Sequence, residues 1–308
     1  MKNKPWFVAC CLVLWLDHSV AAYSAEPAFS EVKERFVLQS AEMKEASGVA
    51  ISSVSNGFMW VIADSGNPPE IHLFGTNGTN HGKLRLMNAK NMDWEGIASF
   101  SIDGVSYLLV ADTGDNNAVR EKCTLYVLRE PKLPKEGEKL TGTVELAWRM
   151  DFTFEGGPRD CESVAVDEIQ KKILLVSKRT TPPEVHELPL MPQPKNKKLV
   201  TRKIGEIRVP SPEGTLIQFC DQPTGFDISA DHSLAAVVTY YSVFLFSRHD
   251  PESWSEALAK KPVVLSPHGL NQAESVAISK DGTNVIVLSE GIGTPIMTYP
   301  RGSLKMKD

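Results

Sequence analysis

The chain has 308 residues, 42% of them hydrophobic and 23% charged, with 33 basic against 38 acidic side chains and a formal net charge of −5. That acidic balance excludes the basic stripe a nucleic-acid partner would want, and the length suits one large all-β domain or two smaller ones. Beyond residue 30 no apolar run is long enough to span a bilayer.

The first segment, "MKNKPWFVACCLVLWLDHSVAAYSAEP", has a basic start, a short greasy middle and a small-residue end. This pattern predicts a signal peptide over 1–22, cut after Ala22, with Ala21 or Ala25 as other cuts. The mature chain, 23–308, is then one exported domain, periplasmic or secreted. Cys10 and Cys11 leave with the leader and Cys123, Cys161 and Cys220 stay. An oxidising compartment leads us to expect one disulfide among the three, with the pairing open and one thiol left over.

Next along the chain comes a repeat. "SGVAIS" (47–52), "EGIASF" (95–100), "ESVAVD" (162–167), "TGFDIS" (224–229) and "ESVAIS" (274–279) recur at an irregular period. Each is followed, after a turn such as "SNG", "IDG" or "KDG", by an apolar strand: "MWVIAD", "YLLVAD", "ILLVSK", "AAVVTY" and "VIVLSE". Such turns close hairpins. A third strand follows each pair ("EIHLFG", "TLYVLR", "EVHELPL", "SVFLFS", "PIMTYP"), and a fourth completes four of the copies. The last copy has only three strands. "FVLQSAEMKEASGVAIS" near the start aligns with "VVLSPHGLNQAESVAIS" near the end, so the strand around Phe36 to Leu38 is expected to complete that last copy. Five four-stranded units with complementary ends predict an all-β, five-bladed β-propeller closed by its N-terminal strand. A β-sandwich of short strands gives no reason for the two ends to complete each other. "DPESWSEALAKK" (250–261) is the best helix candidate, opened by Asp250-Pro251.

In such a blade the repeated motif is the innermost strand, and its start meets the end of the second strand at one mouth of the channel. The five starts are Ser47, Glu95, Glu162, Thr224 and Glu274, and the five ends are Asp64, Asp112, Lys178, Tyr240 and Glu290. Neighbouring Asp93, Asp115, Asn116, Arg159, Asp160 and Arg179 join the same rim. Carboxylates so crowded repel one another by about 4 kcal/mol per pair at about 4 Å and an effective dielectric of about 20. Protons, the few cations or a bound metal must offset this. A hard divalent cation, calcium above all, takes several oxygen ligands; the candidate ligands are Glu95, Asp112, Glu162 and Glu274, with Asp112-Thr113-Gly114-Asp115-Asn116 offering several oxygens in one loop. Asp64, Asp115, Asn116, Arg159 and Asp160 are the candidate ligand-binding residues around them. Strand-end carboxylates also serve simply to accept hydrogen bonds from neighbouring loops, and both roles are open for each residue. No histidine falls at the rim, and "SPEGT" (211–215) lacks a nucleophile elbow.

"NMDWEGIASF", "YLLVADTGDNNAVREKCTLYVLREP", "RDCESVAVD" and "LLVSKR" resemble a family of largely uncharacterised secreted bacterial β-propeller proteins. More distantly, the E-G-[IV] start of the inner strands is similar to that of gluconolactonase and paraoxonase propellers and of phytase-like esterase propellers. That resemblance implies a divalent ion in the channel mouth and hydrolysis of lactones, esters or phosphoesters, with Glu95, Glu162 and Glu274 at metal-ligand or base positions. The chain departs from the lactonase type in having five blades instead of six, and Ser47 and Thr224 where asparagine ligands would stand.

The leading expectation is an exported, monomeric propeller whose acidic mouth binds a divalent cation and hydrolyses an ester or phosphoester. Glu95 or Glu162 would act as base, and Lys178 or Arg179 would steady developing negative charge. The rival is a non-enzymatic module holding a small molecule, a protein, a peptide or a glycan at the same mouth. A glycosidase with paired carboxylates is a third reading.

Overall fold

The computed structural model describes residue 29 and residues 31–192, 194, 198–211 and 216–301. The expected leader over 1–22 and the tail beyond residue 301 lie outside the described residues, as does most of "SPEGT". The chain is a five-bladed β-propeller. The inner strands are Ala46–Ile51, Trp94–Ile102, Ser163–Asp167, Gly225–Ile228 and Ala273–Ile278. Each pairs antiparallel with the strand that follows it: Phe58–Ala63, Val105–Asp112, Lys172–Val176, Leu234–Val238 and Asn284–Ser289. Both strands of each pair are almost wholly buried, as a strand sandwiched between two neighbouring blades must be.

The ring closes as the aligned ends predict. Lys33–Val37 pairs antiparallel with Pro295–Pro300 of the fifth blade, Lys33 opposite Thr298 and Val37 opposite Pro295. The first and last segments therefore share one sheet, in which Lys33–Val37 covers the edge that Pro295–Pro300 would otherwise leave open.

Five hydrophobic layers, one between each pair of adjacent blades, make up the core. Trp60, Trp94 and Tyr126 fill the layer between blades one and two; Phe100, Phe152 and Phe154 fill the next. Each layer takes residues from two neighbouring blades, so closing the ring buries the last of them, between blades five and one.

Three expectations are corrected in detail. Two blades are five-stranded, because the long connections between the third and fourth strands of blades two and three lay short strands, Thr143–Val144 and Leu199–Val200, parallel to the outer edges of blades one and two. The helix is shorter than expected, Trp254–Leu258, and its N-cap is Ser253 instead of Asp250-Pro251. Ser253 and Glu256 form a reciprocal capping box that satisfies two backbone donors, which the proline, lacking an N–H, cannot supply. Finally, Cys123, Cys161 and Cys220 are all free thiols and all buried. Cys123 and Cys161 pack as small apolar groups in the layer between blades two and three, and the Cys161 thiol donates to the carbonyls of Ser163 and Val176. Burial pushes the Cys123 thiol up to about 12. No helix among the described residues is long and apolar enough to cross a membrane.

Candidate functional site

A β-bulge sets each ring residue of blades one, two and five. The pairing of inner and second strands slips between Ala46 and Gly48, between Trp94 and Gly96, and between Ala273 and Ser275. Ser47, Glu95 and Glu274 are thus the extra residues of their strands, and a bulge re-aims the side chain it carries. In blades three and four the ladder starts one residue later, at Ser163 and Gly225, leaving Glu162 and Thr224 at its mouth end. The two hydroxyl members of the ring tie blades together: Ser47 Oγ donates to Trp94 O at 2.6 Å and Thr224 Oγ1 to Ala273 O at 2.6 Å. Glu95, Glu162 and Glu274 line the channel neck, whose free volume is only about 10 Å³, on the order of a single water.

The carboxylates of this mouth divide into two groups. In the first, Asp64, Asp93 and Glu95 each bring one oxygen within 4.8 Å of the others. Glu95 is 4% exposed, and among the described residues no donor reaches its carboxylate; burial, then the charges of Glu162, Asp64, Glu274 and Asp93, hold it well above the ordinary carboxylate range. Burial, then the hydrogen bond and charge of Asp64, push Asp93 up to about 7. Gly114 makes this approach feasible. A Cβ there would lie 2.5 Å from the Asp93 carboxylate and 2.6 Å from Glu95 Oε1, closer than side-chain atoms pack, while the N–H groups of Thr113 and Gly114 both donate to Asp93 O at 3.1 Å.

The second group lies across the neck. Lys178 Nζ donates to both carboxylate oxygens of Glu162 at 2.5 Å and to Tyr240 Oη at 3.1 Å, and its ammonium sits 5.0 Å above the Tyr240 ring. Tyr240 Oη in turn donates to Glu274 Oε1 at 3.1 Å. Burial opposes the charge on Lys178, and Glu162 more than offsets it, so the ammonium is held charged. Burial also pushes Tyr240 up to about 12. Burial, then the charges of Glu162 and Glu290, push Glu274 up to about 9.

The remaining expected residues brace the loops. Asp112, expected as a metal ligand, takes Arg120 Nη2 at 2.8 Å and the Asp93 N–H at 3.2 Å on Oδ1, and the Met92 N–H at 3.4 Å on Oδ2. Asp115 accepts from Val119 N and Arg120 N of its own loop. Asp160 accepts from Asp115 N at 2.9 Å and from Arg179 Nε at 2.6 Å, and Arg179 also donates to Asn116. Arg159 turns to Glu184 at 2.8 Å and to the carbonyls of its own turn.

Of the expected residues, then, the structure groups Glu95 with Asp64, and Glu162 with Lys178 and Glu274, and it engages Asp112, Asp115, Asn116, Asp160, Arg159 and Arg179 in bridges between loops. Asp93 was legible only as a rim neighbour and Tyr240 only as a strand end, and Arg120 carried no signal beyond being a cation eight residues after Asp112. Oxygens bound to one calcium at about 2.3–2.6 Å stand no more than about 5 Å apart, so the Asp64, Asp93 and Glu95 set fits a hard cation.

Comparison with family models finds no match, and no curated protein matches the chain. Among solved structures the chain is similar to one titled "Crystal structure of Nidogen/Laminin Complex", with a TM-score of 0.43 and 14% identity, covering 84% of this chain and 81% of that one.

Proposed function

We propose that this protein is an exported propeller whose channel mouth binds a divalent cation, calcium first, through Asp64, Asp93 and Glu95. The observation that carries the reading is Glu95: a buried residue whose carboxylate meets no donor among the described residues, beside two other carboxylates. Three carboxylates whose oxygens lie within 4.8 Å of one another repel when ionised, and a cation shared by all three removes that cost. Export rests on the leader pattern of residues 1–22.

A bound divalent ion would supply Lewis acidity, polarising an ester or phosphoester oxygen and acidifying a water. The chain's own residues would do the rest. The Glu162 carboxylate, held by Lys178, keeps a fixed ammonium across the neck from the cation set, and Tyr240 offers a hydroxyl between Lys178 and Glu274. The neck admits nothing larger than an ion or a water, so an organic ligand lies on the mouth and not along the channel.

The test is the thermal midpoint of the purified protein in EDTA and in added calcium, repeated on Glu95→Gln combined with Asp93→Asn. A calcium-dependent rise absent from the variant supports the cation site, since a ligand of the folded state alone stabilises by about 2.7 kcal/mol at a hundred times its Kd. No rise in the wild-type protein overturns it. If calcium binds and every ester and phosphoester offered stays intact, the hydrolytic half of the reading falls.

A further inference from the structure

The loops around the acidic mouth carry apolar side chains that the fold does not bury. Strand direction puts the connections from second to third strands, and from each blade to the next, on the mouth face. Met92 lies on the connection from blade one to blade two, Val119 on that following the second strand of blade two, Leu216 and Phe219 on that between blades three and four, and Ile292 on that following the second strand of blade five. Leu216 is 97% exposed, Val119 69% and Ile292 65%. The opposite face shows Val54, Val105 and Ile169 singly at hairpin turns and Met191 on the connection after the third strand of blade three, as any surface does.

Two of these loops are held in place at a conformational cost. Arg179 (φ 64°) and Phe219 (φ 58°) both occupy the left-handed region without being glycine, and the Arg179 guanidinium lies 5.6 Å from the centre of the Phe219 ring. Arg179 is at the same time tied to Asp160 and to Asn116, the latter in the loop that carries Val119. Non-glycine residues held in this region cost of order 1–3 kcal/mol and cluster at ligand clamps. Here they fix a half-exposed aromatic ring on the rim, where folding alone gains little from it.

The charges inside the rim are not balanced. Lys178 is committed to Glu162, Arg179 to Asp160 and Arg120 to Asp112, which leaves Asp64, Asp93 and Glu95 facing the mouth without a cation of the chain's own.

We propose that the mouth face is a docking surface for a polypeptide segment that places a lysine or arginine side chain against Asp64, Asp93 and Glu95 while its flanking apolar side chains cover Met92, Val119 and Phe219. This rests on the reading of the mouth as the binding site and names its partner. A basic side chain is a cation on a thin apolar stem, the one protein group whose head complements the carboxylates and whose stem and neighbours complement the ring of apolar tips. Charged anchors surrounded by apolar contacts that exclude water are how such interfaces concentrate their energy. The same oxygens would then take either a divalent ion or the partner's cation, so the two compete.

The experiment pans a phage-displayed random peptide library against the purified full-length protein. It then measures the selected peptides by fluorescence anisotropy on the wild-type protein, on Phe219→Ser and on Glu95→Gln. The expected result is enrichment of sequences with one Lys or Arg between apolar residues. Their affinity should fall about tenfold or more in each variant, equivalent to about 1.4 kcal/mol, and fall on addition of calcium. Phe219→Ser should keep the wild-type calcium response in the thermal midpoint. No enrichment of basic and apolar sequences, or selected peptides that bind Phe219→Ser as tightly as wild type, overturns the docking proposal. A calcium response without peptide binding removes the docking surface and leaves the cation site. Peptide binding lost in Glu95→Gln, in a protein that ignores calcium, removes the cation site and leaves the docking surface.

Discussion

Lys178 Nζ stands 2.5 Å from both carboxylate oxygens of Glu162, and both side chains are 5% exposed or less. Glu162 starts the inner strand of blade three and Lys178 follows its second strand, so the pair clasps the mouth end of one hairpin. Breaking a buried pair by removing one partner costs about 3–5 kcal/mol, because the other charge is left without compensation. Lys178→Met is expected to destabilise by about that amount in urea unfolding. Adding Glu162→Gln should recover part of the loss; a double variant no more stable than the single would show that Lys178 contributes through packing on Tyr240 instead.

The mouth carboxylates make stability depend on pH in a defined direction. Asp93 is raised to about 7 and Glu274 to about 9 in the folded protein, against about 4 for such groups unfolded. Between these values the native state holds more protons than the unfolded one, so stability falls as pH rises. Their contribution is complete below about pH 4 and lost on passing through 7 and 9. In EDTA the urea midpoint should decline from pH 5 to pH 9 more steeply in the wild type than in Asp93→Asn combined with Glu274→Gln. Calcium should stabilise more at pH 8 than at pH 5, because protons and cation contend for the same oxygens.

Gly114 is expected to accept no side chain. Gly114→Ala drives a methyl group into the carboxylates of Asp93 and Glu95, and overpacking of this kind costs about 1–3 kcal/mol. Isothermal titration should show the calcium site weakened or lost in this variant, while circular dichroism shows the propeller retained.

Removing the N-terminal strand should open the ring. A chain starting after Val37 lacks the partner of Pro295–Pro300, which leaves an unpaired edge ready to pair with another copy. The expected outcome is a lower melting midpoint together with higher oligomers on light scattering, compared with the intact protein.

The three thiols give a direct check on their state. In native protein, maleimide should leave Cys123, Cys161 and Cys220 unlabelled, since all are buried; in denaturant without reductant, all three should label. Labelling of one alone would mean that the other two had paired.

Much of the architecture was legible because its signals are local. The motif "ESVAIS", its hairpin turn and the strand "VIVLSE" lie within one hairpin, and the complementarity of "FVLQSAEMKEASGVAIS" with "VVLSPHGLNQAESVAIS" gave the closure. The rim positions followed from counting along antiparallel strands. The helix start was misread because Asp250-Pro251 looks like a cap, whereas Ser253 and Glu256 hold the reciprocal pair of hydrogen bonds. Free thiols were misread as a pair because compartment, and not packing, was the only guide.

By itself the sequence determined five blades, their order, how the ring closes and which residues stand at one mouth, since strand periodicity and turn chemistry act over a few residues. Only the tertiary structure decided which of those carboxylates retain a free oxygen. Asp112 and Glu95 look alike along the chain, yet Arg120 and the Met92 and Asp93 N–H groups engage Asp112 while no donor among the described residues reaches Glu95. The difference lies in how loops from neighbouring blades approach. The Gly114 backbone packs against Glu95 and Asp93, and Tyr240 reaches from blade four to Lys178 in blade three; contacts between residues so far apart in the chain leave no periodic trace in it.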